Sequence, residues 1–154
     1  MGYSAGDVKA ALVTTLTTLF PSPTLVSYGA PGAYQPDEIV AVGEQRFEVT
    51  RPTMGTNRSR EEAVETDVTF SVFSSGGDTA QQVATERVYA MALALDEHFR
   101  TKPNETLGGA CRDAWVTGGD LREAKATPSP AAGSGVSGRV SELTVTVTTV
   151  ARRA

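Results

Sequence analysis

Apolar residues recur every three to four positions near the start of the chain, in the stretch SAGDVKAALVTTLTTLF. This period belongs to one face of an α-helix and predicts a helix over residues 5–20. Ser4, with Asp7 three positions later, resembles a capping box, and Pro21 after Phe20 ends the helix. The predicted apolar stripe consists of Val8, Ala11, Leu12, Thr15, Leu16 and Leu19.

From Glu62 onwards the pattern changes to alternation, which is typical of a β-strand with one buried face. Burying each valine or phenylalanine of such a face contributes about 1.5–3 kcal/mol before entropy is counted, so we expect this strand to be central. The apolar face comprises Val64, Val68, Phe70 and Val72, and the opposite face comprises Glu65, Asp67, Thr69 and Ser71.

The next stretch, TFSVFSSGGDTAQQ at 69–82, places a Gly-Gly turn between a strand and a helix, as phosphate-binding loops do. The turn lacks the lysine and hydroxyl of GxxxxGK[ST] and the spacing of GxGxxG. Asp78 would also place a carboxylate where a phosphate would bind, at the positive end of the helix dipole. We therefore interpret the stretch as a structural joint, with Asp78 as the N-cap and Gln81 completing a capping box.

A second helix is predicted to run from this joint to about Arg100. At 1.5 Å per residue it would be roughly 33 Å long, enough to lie across a small sheet. Its predicted apolar stripe is Ala80, Val83, Ala84, Val88, Met91, Ala92, Leu95 and Phe99.

Four other segments have the composition of strands. They are TLVSYG, PDEIVAVGEQRFEVTRP with a bulge or bend at Gly43, LGGACRDAWVTGGDLREAKAT with an interruption at Gly118-Gly119, and ELTVTVTTVARR. Two segments lack any period: 51–60 is predicted to be a projecting loop, and the Pro/Gly/Ser/Ala-rich 127–138 to be a flexible hairpin tip.

This order of elements, α-β-β-β-α-β-β, predicts the fold class. Strands joined by short turns favour a mainly antiparallel sheet of four to five strands, and two helices on one face make a two-layer α+β sandwich. With 154 residues, we expect a single domain over 1–154.

Composition and charge exclude several classes of function. A net charge of −4 provides no basic field for general nucleic-acid binding. One cysteine and one histidine leave no Cys/His cluster for structural zinc, and the acidic pairs lack the spacing of a calcium loop, so we expect no metal site and no cofactor. No apolar run approaches the roughly 20 residues of a membrane helix, which predicts a soluble, cytoplasmic protein without membrane contact.

The residues that could carry chemistry favour structural roles, and we expect no catalytic residues. His98 lies near a helix end among charges, where a local electrostatic role fits better than catalysis. Cys111 is interpreted as a small buried or half-buried hydrophobe. Trp115 is expected to be an anchor in the core or in an interface, because no second aromatic residue or basic groove accompanies it.

Positive charge is concentrated at two places, and its role has two interpretations. The arginines could contact an acidic neighbour or passing DNA phosphates, or they could simply solubilise a loop and a tail. The acidic pairs are expected to be solvated surface, with one of them kept as an interface candidate. The interface candidates are Arg51, Arg58, Arg60, Arg152, Arg153, Trp115 and the acidic pair Asp37 and Glu38.

The sheet face away from the helices is polar but weakly charged, so it could be solvated or could pack on another subunit. Both sheet edges would expose unpaired backbone groups, and head-to-tail pairing of subunits around a rotation axis would close them into a ring.

Four segments in order together resemble tail terminator proteins of long-tailed (siphovirus-type) bacteriophages, especially phages of actinobacteria. They are YGAPGAYQPDEIVAVGE, SREEAVETDVTFSVFSSGG, the helix segment ATERVYAMALALDEHFR, and TLGG before the last hairpin. The resemblance covers nearly the whole chain, although no single segment is a chemical signature.

The resemblance implies a structural virion protein of the tail or neck, assembled in the host cytoplasm. Its subunits would form a homo-hexameric ring that caps the tail-tube protein, stops polymerisation and docks the head–tail connector or stopper protein. Double-stranded DNA would pass through the lumen without specific binding, and Glu65 and Asp67 are lumen candidates. The alternatives are a head–tail adaptor or stopper ring of the neck and, from another class, a small monomeric α+β enzyme or ligand-binding domain.

Overall fold

The computed structural model describes residues 3–32, 35–50, 60–126 and 137–153. The first element is helix α1, Ser4–Leu19, one residue earlier than the predicted 5–20. The expected capping box at its start is wrong: the N-cap is Tyr3, whose side chain makes no capping hydrogen bond. Instead, the backbone N–H of Ser4 donates to the carboxylate of Glu62, far along the chain.

Five strands form one sheet in the order β1-β2-β3-β5-β4. The pair β1–β2 is parallel, and the pairs β2–β3, β3–β5 and β4–β5 are antiparallel. The strands are β1 (Leu25–Tyr28), β2 (Glu38–Thr50), β3 (Arg60–Ser75), β4 (Asp113–Ala126) and β5 (Gly138–Arg153).

β3 is the central strand, as its alternation predicts. Its even-numbered residues from Glu62 to Val72 are buried, and its odd-numbered residues face away from the helices. Glu62 and Thr66, which the prediction did not include in the apolar face, are also buried there.

Both glycine irregularities predicted in the strands coincide with shifts of register. The pairing of β2 with β3 shifts between Val42 and Gln45, which confirms the bulge at Gly43. The pairing of β4 with β5 shifts between Val116 and Gly118, and the strand continues beyond it. A Cβ on Gly119 would lie 2.8 Å from the Thr144 carbonyl oxygen, so the close approach there requires glycine.

Helix α2 is Asp78–Arg100. Its N-cap is Gly77 with no side-chain cap, so the predicted Asp78–Gln81 capping box is also wrong. The Gln81 amide instead donates to the Ser141 hydroxyl at 2.8 Å, which ties the helix start to β5. The predicted stripe fails at Val83, which is 53% exposed because the buried face runs through its neighbour Ala84.

The strand predicted from LGGAC onward begins later than expected. Residues Asn104–Gly109 form a short 3₁₀ segment, and β4 begins at Asp113. Leu107 (φ 49°) and Gly108 (φ 69°) adopt left-handed backbone conformations that a strand does not allow. Leu107 is nevertheless buried, so packing holds this turn against the core.

Both helices pack on one face of the sheet, which confirms the α+β sandwich with its α-β-β-β-α-β-β order. α1 lies mainly over β1 and β2, whereas α2 lies over β5, β3 and β4. The predicted loop at 51–60 and hairpin tip at 127–138 fall largely outside the described residues; Arg60 and Gly138 themselves begin strands. The shared core includes Val8, Leu12, Leu16, Val40, Val68, Phe70, Val88, Met91, Leu95, Leu143 and Val147.

Candidate assembly surfaces

The two lumen candidates, Glu65 and Asp67, lie side by side on the open face of the sheet, which is the face without helices. Arg46 of β2 reaches both carboxylates: its Nη2 lies 3.3 Å from Glu65 Oε2 and 3.1 Å from Asp67 Oδ1. Thr146 of β5 donates from Oγ1 to the same Asp67 oxygen at 3.2 Å. One guanidinium therefore offsets part of the charge of the acidic pair.

This arrangement also stabilises the charged form of the arginine. Hydrogen bonds from Arg46 to Asp67, together with the negative charges of Asp67 and Glu65, raise the pKa of Arg46 above its ordinary value. Because the Arg46 and Glu65 side chains are about half exposed, the cluster is a solvated surface feature and not a buried charge site.

Threonine hydroxyls form a second group on the open face. Thr69 and Thr144 hydroxyls are 3.0 Å apart across β3 and β5, and Thr148 donates to Thr117 of β4 at 3.3 Å. Cross-strand pairs of this type stabilise a sheet while leaving methyl groups and hydroxyls available to a neighbouring surface. The face is thus polar, as predicted, but it is more charged than expected: besides the Arg46 cluster it carries Asp120 and Arg122 of β4 and Glu142 of β5.

A second cluster lies where β2 and β3 extend past the N-terminus of α1. Glu62, only 1% exposed, accepts a 2.6 Å hydrogen bond from the Ser4 N–H and a 3.0 Å bond from Arg60 Nε. The Arg60 guanidinium also lies 5.3 Å from the centre of the Tyr3 ring, and that ring packs on Phe47 at 4.7 Å between centroids. The end of β2 and the start of β3 therefore contact the start of the first helix.

The electrostatics of Glu62 follow from its partners. Burial by itself raises the pKa of this carboxyl, but hydrogen bonds from Ser4 and Arg60 outweigh that effect and hold its pKa below the ordinary value of 4.5. A buried carboxylate that accepts several hydrogen bonds remains ionised at neutral pH. Glu62 thus acts as a fixed negative charge at the N-terminus of α1.

The acidic pair kept as an interface candidate divides between two environments. Asp37 is exposed, and its carbonyl oxygen accepts from the Phe73 N–H. Glu38 binds Arg87 of α2 through two bonds of 2.9 and 3.0 Å. Because of this hydrogen-bonded pairing, the pKa of Glu38 lies below its ordinary value. Glu38 therefore links the sheet to α2 within the subunit.

The remaining interface candidates are distributed over β4 and β5. Trp115 is 39% exposed on the open face of β4, opposite Thr148 of β5. Arg152 lies opposite Glu61 in the pairing of β5 with β3, next to Arg153 at the end of β5. Arg51 and Arg58 lie outside the described residues.

A groove that the sequence analysis missed runs between α2 and the edge strand β4, with a volume of about 420 Å³. Its apolar wall is formed by Tyr89 and Leu93, which are 50% and 52% exposed. Val116 and the Gly118-Gly119 bulge form its floor, and Asp96 lies at its rim. The sequence does contain a signal for this wall: Tyr89 and Leu93 are large apolar residues four positions apart, and both lie outside the predicted core stripe of the helix.

The outer surface of α1 lies at the other side of the helix layer. From Ala10 to Leu19 the helix has no ionisable residue. Thr14, Thr17 and Thr18 are exposed, and each donates its hydroxyl to the carbonyl oxygen four residues earlier in the same helix. Solvated helix faces usually include charged side chains, so a surface whose exposed polar groups are all threonine hydroxyls is unusual.

The two residues considered for chemistry have structural environments. Cys111 is buried, which raises the pKa of its thiol to about 11; the interpretation as a buried hydrophobe is confirmed, because such a thiol is protonated at neutral pH. The His98 ring contacts the Asn104 amide at 3.4 Å, near the end of α2. Within the described ranges, no three His, Cys, Asp or Glu side chains are grouped as metal ligands.

Comparisons with solved structures give a likeness in fold. No protein-family model matches the chain, and no curated protein matches it. The fold is similar to a solved chain described as "Virion of native gene transfer agent (GTA) particle", at 15% sequence identity and a TM-score of 0.38, over 96% of this chain and 99% of that one. In the described part of the chain, neither helix is long and apolar enough to cross a membrane.

Proposed function

We propose that this protein is a structural virion component, a tail terminator whose subunits form a hexameric ring on the last ring of tail-tube protein. The ring stops polymerisation of the tube and offers its other surface to the head–tail connector or stopper. The proposal takes its identity from the resemblance of the sequence segments to tail terminators. Its main structural support is the sheet, which has helices on one face only. Neither edge strand, β1 or β4, pairs with a further strand on its outer side among the described residues.

Such a sheet is suited to self-association. An exposed edge presents a row of unpaired N–H and C=O groups, which natural proteins cover, distort or pair with another chain. Repeated head-to-tail contacts around a rotation axis pair every edge and close into a ring. A ring of this kind uses the same two surfaces in every subunit.

The open face supports a role as the wall of a channel for DNA. Glu65 and Asp67 provide two negative charges against the one positive charge of Arg46, so their cluster is net acidic. A wall of repeated clusters repels the phosphate backbone, and the effect decays over about 8–10 Å at physiological salt. DNA would then slide through without being held.

The proposed role is not catalytic. The two side chains best suited to nucleophilic or acid–base chemistry have other environments: the Cys111 thiol is buried with a pKa near 11, and His98 contacts Asn104. We propose that binding energy between subunits, tube and connector is the whole of its activity, without a cofactor.

Mass measurement of the purified protein, alone and with tail-tube subunits, tests the proposal. We expect a hexamer in at least one condition, and tubes whose growth stops when the protein is added. A strict monomer that neither assembles nor caps tubes would overturn it.

Depletion during phage assembly separates the terminator from a neck adaptor or stopper. Without a terminator, tails grow beyond their set length. Without an adaptor, tails of normal length accumulate that fail to join heads, and that result would assign the protein to the neck instead.

A further inference from the structure

We propose that neighbouring copies join by pairing edge strand β1 of one subunit with edge strand β4 of the next, so that α1 of the first packs against α2 of the second. This inference rests on the proposed ring. In this arrangement a second copy of this chain occupies the groove beside Tyr89 and Leu93.

Strand direction is the first support. β1 runs parallel to β2, and each later step through β3, β5 and β4 is antiparallel, so β1 and β4 point in opposite directions. Rotation about an axis close to the strand direction preserves the direction of every strand. The β1 edge of one copy then meets the β4 edge of the next as an antiparallel pair, which continues the pattern of the sheet.

The helix layer matches across the same junction. α1 lies over the β1 side of the sheet and α2 over the β4 side, so joining the edges brings α1 of one copy beside α2 of the next. On α2 the contact surface is the apolar wall of Tyr89 and Leu93. On α1 it is the uncharged Ala10–Leu19 surface, where the exposed threonine hydroxyls donate to carbonyl oxygens of their own helix.

The composition of the two surfaces favours contact between them over exposure to water. Neither the Ala10–Leu19 surface nor the Tyr89–Leu93 wall would bury an unpaired charge at the centre of the contact. The charged groups remain at the rim, where Asp96 pairs with Arg100 at 2.9 Å and Lys9 lies 4.4 Å from the centre of the exposed Tyr28 ring. An apolar centre with a polar rim is the usual anatomy of a protein interface.

Cross-linking between different copies tests the strand pairing. In a Cys111→Ala background, Ser27→Cys marks β1 and Thr117→Cys marks β4. Within one subunit four strand spacings of about 4.8 Å separate these strands, roughly 19 Å, so a bismaleimide shorter than that separation joins them only between copies. We expect mixtures of the two single-cysteine chains to give dimers, and the chain carrying both cysteines to give a series up to the full ring.

Two matched substitutions on α2 test the groove. Leu93 and Val83 are 52% and 53% exposed on the same helix, but only Leu93 lines the groove. We expect Leu93→Ser to weaken assembly about fivefold to tenfold or more at each junction, because half a leucine side chain is no longer buried. Val83→Ser should leave assembly unchanged, and both variants should remain folded as monomers.

The outcomes separate this inference from the proposed function. The measurements use whichever condition, alone or with tail-tube subunits, assembles the unmodified chain. Assembly without β1–β4 cross-links, or equal effects of the Leu93 and Val83 substitutions, would overturn the contact surfaces and leave the ring intact. A chain that stays monomeric in both conditions would overturn both.

Discussion

The carboxylate of Glu62 accepts a 2.6 Å hydrogen bond from the backbone N–H of Ser4, the first residue of α1, across 58 positions of sequence. The first N–H groups of a helix have no partner within the helix, and here a buried strand residue supplies one. This bond fixes the position of α1 relative to the central strand and closes the core at that end. Three predictions concern this bond or the charged groups that contact Glu62.

Removing the carboxylate should destabilise the fold. We expect Glu62→Ala to lower the free energy of unfolding by about 1–3 kcal/mol, because the buried Ser4 N–H loses its acceptor. Ser4→Ala is the matched control, because it removes only the hydroxyl and keeps the backbone N–H that donates to Glu62. Urea denaturation of both variants measures the difference. An equal loss of unfolding free energy in Ser4→Ala would show that the Ser4 side chain matters, and not the bond from its backbone N–H to Glu62.

Stability should fall in acid through the depressed carboxyl groups. Glu62 and Glu38 both have pKa values below the ordinary 4.5 when folded. Their contribution is therefore fully present above pH 4.5 and is lost as the pH falls through the folded values. We expect the free energy of unfolding to fall less between neutral and acid pH in Glu62→Gln than in the unmodified protein, as measured by denaturation. The same fall in both proteins would show that Glu62 does not contribute.

Arg60 and Arg58 should behave differently although both are interface candidates. Arg60 donates to buried Glu62 at 3.0 Å, so Arg60→Glu would place two carboxylates together and should reduce stability as well as docking. Arg58→Glu is expected to weaken docking to the tube or connector without a matching loss of stability. Thermal unfolding and a tube-binding assay on each single variant check this. If Arg58→Glu weakened docking only to the extent that it unfolded the protein, Arg58 would not be a contact residue.

Reversing the acidic pair on the open face should make the channel retain DNA. We expect rings carrying Glu65→Lys and Asp67→Lys to bind linear duplex DNA at low salt and to release it as salt rises, since phosphate contacts depend steeply on salt. Glu86→Lys with Glu97→Lys makes the same charge change on the exposed side of α2. Gel-shift titration compares the two; equal DNA binding by both variants would show that the open face does not line the lumen.

Two glycines should respond in opposite directions to alanine. A Cβ on Gly138 would lie 2.6 Å from the Ser74 carbonyl oxygen and would overlap the Phe73 ring, whereas a Cβ on Gly6 in α1 would meet nothing within 4 Å. We expect Gly138→Ala to cost about 1–3 kcal/mol through overpacking. Gly6→Ala should add about 0.4–1 kcal/mol by restricting the unfolded chain. Chemical denaturation measures both; a tolerated Gly138→Ala would mean that β5 can move away from β3 there.

The sequence by itself determined the features that depend on local periodicity. Alternation specified the buried face of β3, the three-to-four spacing specified α1 and α2 to within a few residues, and Gly43 specified a bulge. From these the α+β sandwich followed, because each apolar face must be buried against another. The open polar face and the unpaired edges were predictable for the same reason.

Tertiary structure alone decided which distant groups meet. Arg46 joins Glu65 and Asp67 only because the bulge sets the register of β2 against β3. The expected caps at Ser4 and Asp78 were wrong because side chains of strands far along the chain accept the bonds there: Glu62 accepts from the Ser4 N–H, and Ser141 accepts from the Gln81 amide. The outward Val83 and the Tyr89–Leu93 wall depend on how α2 is rotated on the sheet. Periodicity places a residue on a face of its own element, whereas packing with elements far along the chain determines what that face contacts.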